Sequence, residues 1–572
     1  MQSLSEAPGQ QREQPGRNSG YKWIALSNTT LGILMASVNT NIIMISLPAI
    51  FRGIQINPLS PGSTTYLLWI LMGYTVVTAT LLVSFGRISD IFGRVRLYNL
   101  GFAIFTVGSI LLFFTPGTGN TGALEMIVFR IVQGIGAGFL FSNSTAIITD
   151  AFPPSQRGMA MGLNQIAGVG GSLLGLIIGG VLADLHWRLI FLVSVPVGLF
   201  GTIWGYLKLK ETGVIQKGQK LDWLGNGTFA IGLTVLLLAL TYGIMPYGKS
   251  KMGWDSPAVI SGIAAGVLLL AAFVFIELRV KTPMFQLSLF RLRAFAAGNL
   301  SAFLSSVARG GLQFMLIIWL QGIWLPLHGY SFESTPLWAG IYMLPMMLGF
   351  FLMGPLSGWL SDRLGAKQLA TGGMVVTVFG FILLSMLPVN FSYLPFMLIL
   401  LLLGFGMGMF AAPNTSAIMN AVPPQHRGVS AGMSATVLNT GMSMSMTLYF
   451  SILIFGMVQN LPPALYHGLA TAGVPAEISR QIANMPPTGA LFAAFLGYNP
   501  MSQLLPASVL HSLPQAAQNL LLGTSFFPTL IAPAVMASLR VAFYVSTALS
   551  FVAAVASYLR GNRYVHEEKR LR

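Results

Sequence analysis

The side chains in this chain that could act on a passing molecule are few, and they interrupt long apolar runs. "SVNTNIIMISLP" (Ser37–Pro48) carries Asn39 and Asn41, and "IVFRIVQGIGAG" (Ile127–Gly138) carries Arg130 and Gln133 about one helical turn apart. Arg309 and Gln313 are spaced the same way beside Gly310 and Gly311, and Gln321 follows two turns later. Asn143, Asn164, Gln165, Asn414 and Asn439 are further amides of this kind. Guanidinium and amide groups bind and orient; neither takes up or gives up a proton near neutrality. No nucleophile–base pairing, no phosphate-cradling glycine loop and no metal-ligand spacing stands out, so catalysis, a cofactor and a metal are not expected. A lone Arg at the centre of a membrane helix costs about 2.5–3.5 kcal/mol, so it faces a partner or a wet cavity. For Arg130 two readings stay open: a cavity-facing donor, or a structural pair with Glu125. For each Asn and Gln taken singly, gluing helices together explains the residue as well as binding does.

The acidic residues complete this picture. Glu125, Asp184 and Glu333 lie near the ends of apolar runs, and Asp90, Asp150 and Asp362 lie near turns. None sits near the middle of a run. A cavity holding Arg130 and Arg309 and no carboxylate favours anionic or neutral amphiphiles over cations.

The elements that must position these groups are membrane helices. Of 572 residues, 54% are hydrophobic and 8% charged, against about 25% charged in soluble domains. Runs such as Phe229–Met245 and Gly262–Ile276 contain no charge, and a span needs about 20 such residues. Fourteen spans are expected, near 24–49, 64–85, 97–115, 126–149, 158–182, 189–208, 223–244, 257–278, 295–325, 337–360, 368–388, 394–419, 428–457 and 540–559. Most of the 31 Lys and Arg then collect on the side that carries both termini, which by the positive-inside rule is the cytoplasm. The net charge of +16 is explained this way without a nucleic-acid partner. There are no cysteines, so disulfides and thiolate sites are excluded.

The two halves echo each other at an offset of about 270 residues. "GRISDIFGRVR" (Gly86–Arg96) matches "GWLSDRLGAKQ" (Gly358–Gln368), "GIGAG" (Gly134–Gly138) matches "GFGMG" (Gly404–Gly408), and "FPPSQRG" (Phe152–Gly158) matches "VPPQHRG" (Val422–Gly428). A parallel repeat of six-helix halves puts the transport path between them. The spans at 223–244 and 257–278 have no repeat partner.

With these motifs stated, the chain resembles the major facilitator superfamily, and within it the 14-span drug:proton antiporter family of multidrug exporters. The resemblance covers about 24–457 and the last span. It implies an all-α membrane protein with the major facilitator fold: two six-helix lobes plus two additional helices. The turn with Gly86, Asp90, Gly93 and Arg94, and its copy with Gly358, Asp362, Arg363 and Gly365, resembles the superfamily signature. It implies a conformational latch; the plainer alternative is a positive turn that only sets topology. "GGSLLGLIIGG" (Gly170–Gly180) resembles the antiporter motif, with Leu176 where the family has Pro, and Gly171, Gly175 and Gly179 form a packing ladder by spacing. "WRLIFLVSVPVG", "LDWLG" and "MGWDSP" resemble signatures that decide for fourteen spans over twelve. "IVFRIVQGIGAG" resembles the motif of span 4, and the resemblance links its Arg, here Arg130, to proton transfer. Reading back from Leu47-Pro48, the family's Asp falls on Asn39. Proton coupling then has to use Glu125, Asp184 or Glu333, or another route.

The expected organisation is a disordered cytoplasmic tail (1–23), an N-terminal lobe (24–210), two inserted helices with linkers (211–294), a C-terminal lobe (295–559) and a basic tail (560–572). Within the second lobe, 458–539 reads as an apolar extracellular segment whose 490–498 and 516–527 stretches form interfacial or re-entrant helices. Guiding a lipid-like substrate, docking a partner, and packing over the outer mouth are its three readings. The expected protein is a monomeric, multi-pass transporter of the cell membrane that exports hydrophobic or amphiphilic small molecules by alternating access. A lipid exporter or an uncoupled facilitator is the alternative, and a transporter-like sensor a third.

Overall fold

The structure is a computed structural model that describes residues 20–57, 60, 62–153, 156–212, 222–248, 250–280, 283, 285–423, 427–497 and 499–561. The tails beyond them lie outside the described residues. Fourteen helices are long and apolar enough to cross a membrane. The first lobe comprises α1 (Tyr21–Gly53), α2 (Ser63–Phe92), α3 (Arg94–Phe113), α4 (Gly119–Ala151), α5 (Arg157–Leu185) and α6 (Leu189–Lys208). Then come α7 (Trp223–Gly243) and α8 (Pro257–Glu277). The second lobe begins with α9 (Arg293–Leu327), α10 (Thr335–Leu364), α11 (Ala366–Ser385), α12 (Tyr393–Ala421) and α13 (Arg427–Thr471). Five short helices follow: α14 (Ala476–Ala483), α15 (Pro487–Phe495), α16 (Met501–Leu504), α17 (Ala507–Ser512) and α18 (Gln515–Leu522). The last span, α19 (Phe526–Tyr558), completes the second lobe.

The sequence repeat is a repeat of contacts. A Cβ at Gly136 would lie 2.8 Å from the carbonyl oxygen of Gly101, and one at Gly406 would lie 2.8 Å from that of Gly373. Each pair holds two helices of one lobe at backbone distance, and larger side chains would part them. The matching turns also share a conformation. Gly93 has φ 105° and ψ 127°, and Gly365 has φ 92° and ψ 139°. L-residues rarely adopt a positive φ of this kind, so glycine reverses the chain at both places. The Gly ladder of α5 faces α1: Cβ atoms at Gly171 and Gly175 would each lie 2.6 Å from a carbonyl oxygen, of Leu34 and of Val38. The helix bearing Asn39 and Asn41 is therefore seated directly against α5.

The inserted pair is a hairpin. α7 packs on α2 and α13, with the Thr241 hydroxyl 3.7 Å from Met72 Sδ. α8 turns Ile260, Val267, Leu268 and Phe275 outward, as a lipid-facing helix should.

The apolar segment departs from its expected bounds. α13 runs on through Pro462 and Pro463 to Thr471, and α19 begins at Phe526 rather than 540. Neighbouring helices make up for the hydrogen bonds that proline removes. Only the short helices lie between. Of the 490–498 stretch, residues 490–495 are not interfacial: every residue of α15 is buried. Its Phe495 ring packs 6.1 Å from Phe314, and its Phe492 ring 6.0 Å from Phe450, centroid to centroid. Apolar composition cannot distinguish burial in lipid headgroups from burial in protein. The 516–527 stretch divides between α18, with Leu520 and Leu522 exposed, and the buried start of α19.

Candidate functional site

Two polar clusters occupy the middle of the bundle. In the first lobe α4 presents Arg130, which is 2% exposed. Its Nη1 donates to Asn39 Oδ1 on α1 and to Gln133 Oε1 on its own helix, each at 2.7 Å. Nε donates to the carbonyl oxygen of Ile70 on α2 at 3.2 Å. The guanidinium lies 4.5 Å from the ring centroid of Tyr74. Gln133 is fixed in turn by its Nε2, which donates to Ser109 Oγ on α3 at 2.8 Å. Four helices thus converge on one cation, and all its acceptors are neutral.

The pairing of Arg130 with Glu125 is not found. Glu125 Oε2 instead accepts from the Gly117 backbone N–H at 3.0 Å, closing the turn before α4. Five residues along a helix place two side chains on different faces, which favours Asn39 over Glu125.

The second cluster lies where the lobes meet. Gln313 Nε2 reaches Asn41 Oδ1 at 3.5 Å, a long contact between α9 and α1. Gln321 Nε2 donates to the Ile45 carbonyl oxygen at 2.9 Å. Gln321 stands in a π-helical turn, Leu320–Trp324, of the sort that often marks functional positions. Arg309, one turn before Gln313, shares the face turned to the first lobe. It is half-buried and makes no hydrogen bond or ion pair among the described residues.

The other candidates are dispersed. Asn164 Nδ2 donates to Ser144 Oγ at 3.1 Å, tying α5 to α4. Asn439 and Asn143 donate to carbonyls on their own helices. Gln165 is exposed. Asn414 is not a cavity residue. Its Nδ2 donates to Gly298 O at 3.1 Å, and its Oδ1 accepts from Arg560 Nη2 at 2.5 Å. Arg560, just past α19, is driven down to about 10 by burial and stays charged at neutral pH. It pins the end of the last span to α12.

The signature turn is an ion cluster within one lobe. Arg94 Nη2 meets Asp90 Oδ1 at 2.8 Å and Arg94 Nη1 meets Asp150 Oδ2 at 2.7 Å, joining α2, α3 and α4. Glu211 caps α3 by accepting from the backbone N–H groups of Arg94 and Val95, a favourable place for an anion. The copy differs. Arg363 lies 4.1 Å over the Trp359 ring and Lys367 4.0 Å over the Tyr558 ring. The side chain of Asp362 lies outside the described residues. Tyr74, Ser109, Asp150 and Glu211 were not singled out as partners from the sequence. Asp150 and Glu211 left a local signal, as acids just after the spans expected to end at 149 and 208.

The lobes meet in the half remote from the termini. There Gly180 abuts Leu337 and Gly340 abuts Leu176, and α15 is wedged beside Gly322, with contacts to α2 as well as the second lobe. In the half near the termini, Cβ atoms at Gly162, Gly354 and Gly432 would meet nothing within 4 Å. The close backbone approaches between the lobes named here thus lie on the remote side.

Fourteen spans, a repeated lobe and polar groups at the lobe boundary define a membrane transporter. The chain belongs to the Major Facilitator Superfamily, whose family model matches residues 29–446. It is 27% identical over 441 residues to the riboflavin transporter RibZ of Clostridioides difficile (strain 630), covering 77% of this chain and 90% of that one. It is 27% identical over 446 residues to multidrug resistance protein 3 of Bacillus subtilis (strain 168), covering 78% and 80%. Among solved structures it is similar to a bacterial homolog of the human lysosomal transporter Spinster, inward-facing and occupied, with TM-score 0.52 and 14% identity over 95% of this chain and 97% of that one. A D-xylose-proton symporter matches with TM-score 0.52 and 14% identity, covering 85% and 98%. These two likenesses concern the fold.

Proposed function

We propose that this transporter exports anionic or neutral amphiphilic small molecules across the cell membrane by alternating access, with both termini in the cytoplasm. The observation that carries the proposal is Arg309: a guanidinium in mid-membrane, facing the other lobe, with no partner among the described residues. Such a cation repels cationic drugs and attracts an acidic headgroup, while the apolar walls accept a hydrocarbon body. Multidrug and antibiotic exporters among the relatives support an export direction. The excess of Lys and Arg at the termini side supports the orientation.

Energy coupling is the second question. A proton antiporter of this family's design uses a membrane carboxylate; this chain has Asn39 there. That substitution favours a facilitator, or coupling to something other than protons, over proton antiport.

The test is uptake or efflux in proteoliposomes of an acidic fluorescent amphiphile beside a cationic one. Arg309→Ala is expected to lower transport of the acidic probe about tenfold and leave the cationic probe's slow rate unchanged. Intact transport of every acidic probe in that variant would remove the reading. Rates that do not change with an imposed pH gradient would exclude proton antiport.

A further inference from the structure

Arg130 is a buried charge without a counter-charge. It makes no ion pair among the described residues, and a guanidinium cannot shed its proton to relieve the cost. Its three hydrogen bonds end on amide and carbonyl oxygens. These satisfy direction but leave the positive charge uncompensated, which in a low-dielectric setting is expensive.

The groups around it are donors in excess. Asn39 Oδ1 accepts from Arg130, so the amide orientation is dictated and Nδ2 must point away. That Nδ2 is buried and has no partner. The Tyr74 hydroxyl, on the ring that faces the guanidinium, is also buried; Thr40 is its polar neighbour, but the two do not meet in hydrogen-bond geometry. Arg130 Nη2 makes no hydrogen bond to any described residue. Asn39 is 0% exposed and Tyr74 2%. Gln133, Ser109 and Ile70 supply acceptors that are already engaged. Unpaired buried polar groups are uncommon and call for an explanation.

We infer that Asn39, Tyr74 and Arg130 form a binding site for a monovalent anionic group. Water would satisfy the free donors but not the charge. A cation is repelled, and a neutral apolar group satisfies neither. An anion satisfies both demands together. The site lies on α1, α2 and α4 within one lobe, apart from Arg309 on α9. The anionic group has two sources: a free halide, or the acid group of a transported molecule. The second source rests on the proposed function; the first does not.

Asn39→Asp decides the matter, because it sets a carboxylate beside the guanidinium where the amide oxygen now stands. The experiment follows the melting temperature of the purified full-length protein at neutral pH and constant ionic strength. Sodium gluconate is exchanged for chloride or bromide in one arm. Laurate is titrated against dodecanol in the other. The native chain should show a saturable upward shift on the order of 2 °C with at least one anion. Asn39→Asp should lose the halide shift, and should lose the laurate shift when combined with Arg309→Ala, and Tyr74→Phe should need about threefold more anion or above for half-saturation. A halide response identifies a free ion; a response to laurate alone, with none to dodecanol, identifies the acid group of a transported molecule. A halide shift kept in Asn39→Asp, or a laurate shift kept when Asn39→Asp and Arg309→Ala are combined, would overturn the site. If Asn39→Asp does not melt cooperatively, an unchanged half-saturation in Tyr74→Phe overturns it instead. Arg309→Ala should keep the anion shift, so loss of transport there would not be mistaken for loss of this site.

Discussion

Gln321 and Ile45 are joined by a hydrogen bond across the lobe boundary: Nε2 of the glutamine donates to the isoleucine carbonyl at 2.9 Å. The bond lies in the half remote from the termini and runs from a π-turn in α9 to the main chain of α1. An opening of the remote side would break it, because the two helices belong to different lobes. Membrane hydrogen bonds of this type average about 0.6 kcal/mol, with a ceiling near about 1.7.

Gln321→Leu should therefore raise the population of the open state at the remote side by about threefold, and by no more than about twentyfold. The chain has no native cysteine, so a single one placed at Leu337 reports on this directly. Its labelling rate by a membrane-impermeant thiol reagent should rise in the variant. An unchanged rate would mean that the bond follows closure without contributing to it.

The two signature turns should respond unequally. Arg94 is held by Asp90 and Asp150 at roughly a quarter of its side-chain exposure, whereas Arg363 is exposed and leans on Trp359. Arg94→Ala is expected to destabilise the first lobe by about 1–2 kcal/mol, discounted for the solvent that reaches the cluster. Arg363→Ala should change stability by less than about 0.5 kcal/mol. Thermal melts of both variants in detergent check the order. Equal losses would show that the copies are held alike.

Gly175 and Gly170 make a matched pair on one helix. A methyl at Gly175 would strike the Val38 carbonyl oxygen and approach Asn41 Cβ at 3.1 Å, while one at Gly170 meets nothing within 4 Å. Gly175→Ala should push α5 off α1, cost about 1–3 kcal/mol and disturb Asn39 and Asn41 with it. Gly170→Ala should be neutral or stabilising by up to about 1 kcal/mol through helix propensity. Melting temperature and transport rate measured together would expose the contrast, and a tolerated Gly175→Ala would remove the ladder as a constraint.

Much of the fold can be read from the sequence because hydropathy and charged turns are local signals. Gly93 and Gly365 mark their reversals in the letters themselves, and the matching "GIGAG" and "GFGMG" occupy matching contacts. The central site is only half legible. The spacing of Arg130 and Gln133 shows a shared face, but Asn39 lies 91 residues from Arg130, and nothing local says that they touch. Asn414 looks like a cavity amide for the same reason; its partner Arg560 is 146 residues away. The segment after Met457 misleads in a different way. Prolines suggest an end to the helix, yet Pro462 and Pro463 lie inside it, since packing against α14 and α19 sustains the backbone there.

The hairpin of α7 and α8 makes the two flanks of the bundle unlike. One lateral seam between the lobes, at α2 and α13, is covered by α7 and lies behind a second layer of helix. The other, at α5 and α10, has no such cover among the described residues, and there Gly180 and Gly340 let the backbones touch. A molecule dissolved in the bilayer thus meets a shielded flank and a bare one. The bundle's surface toward lipid has a handedness, set by where two extra helices stand beside a symmetric pair.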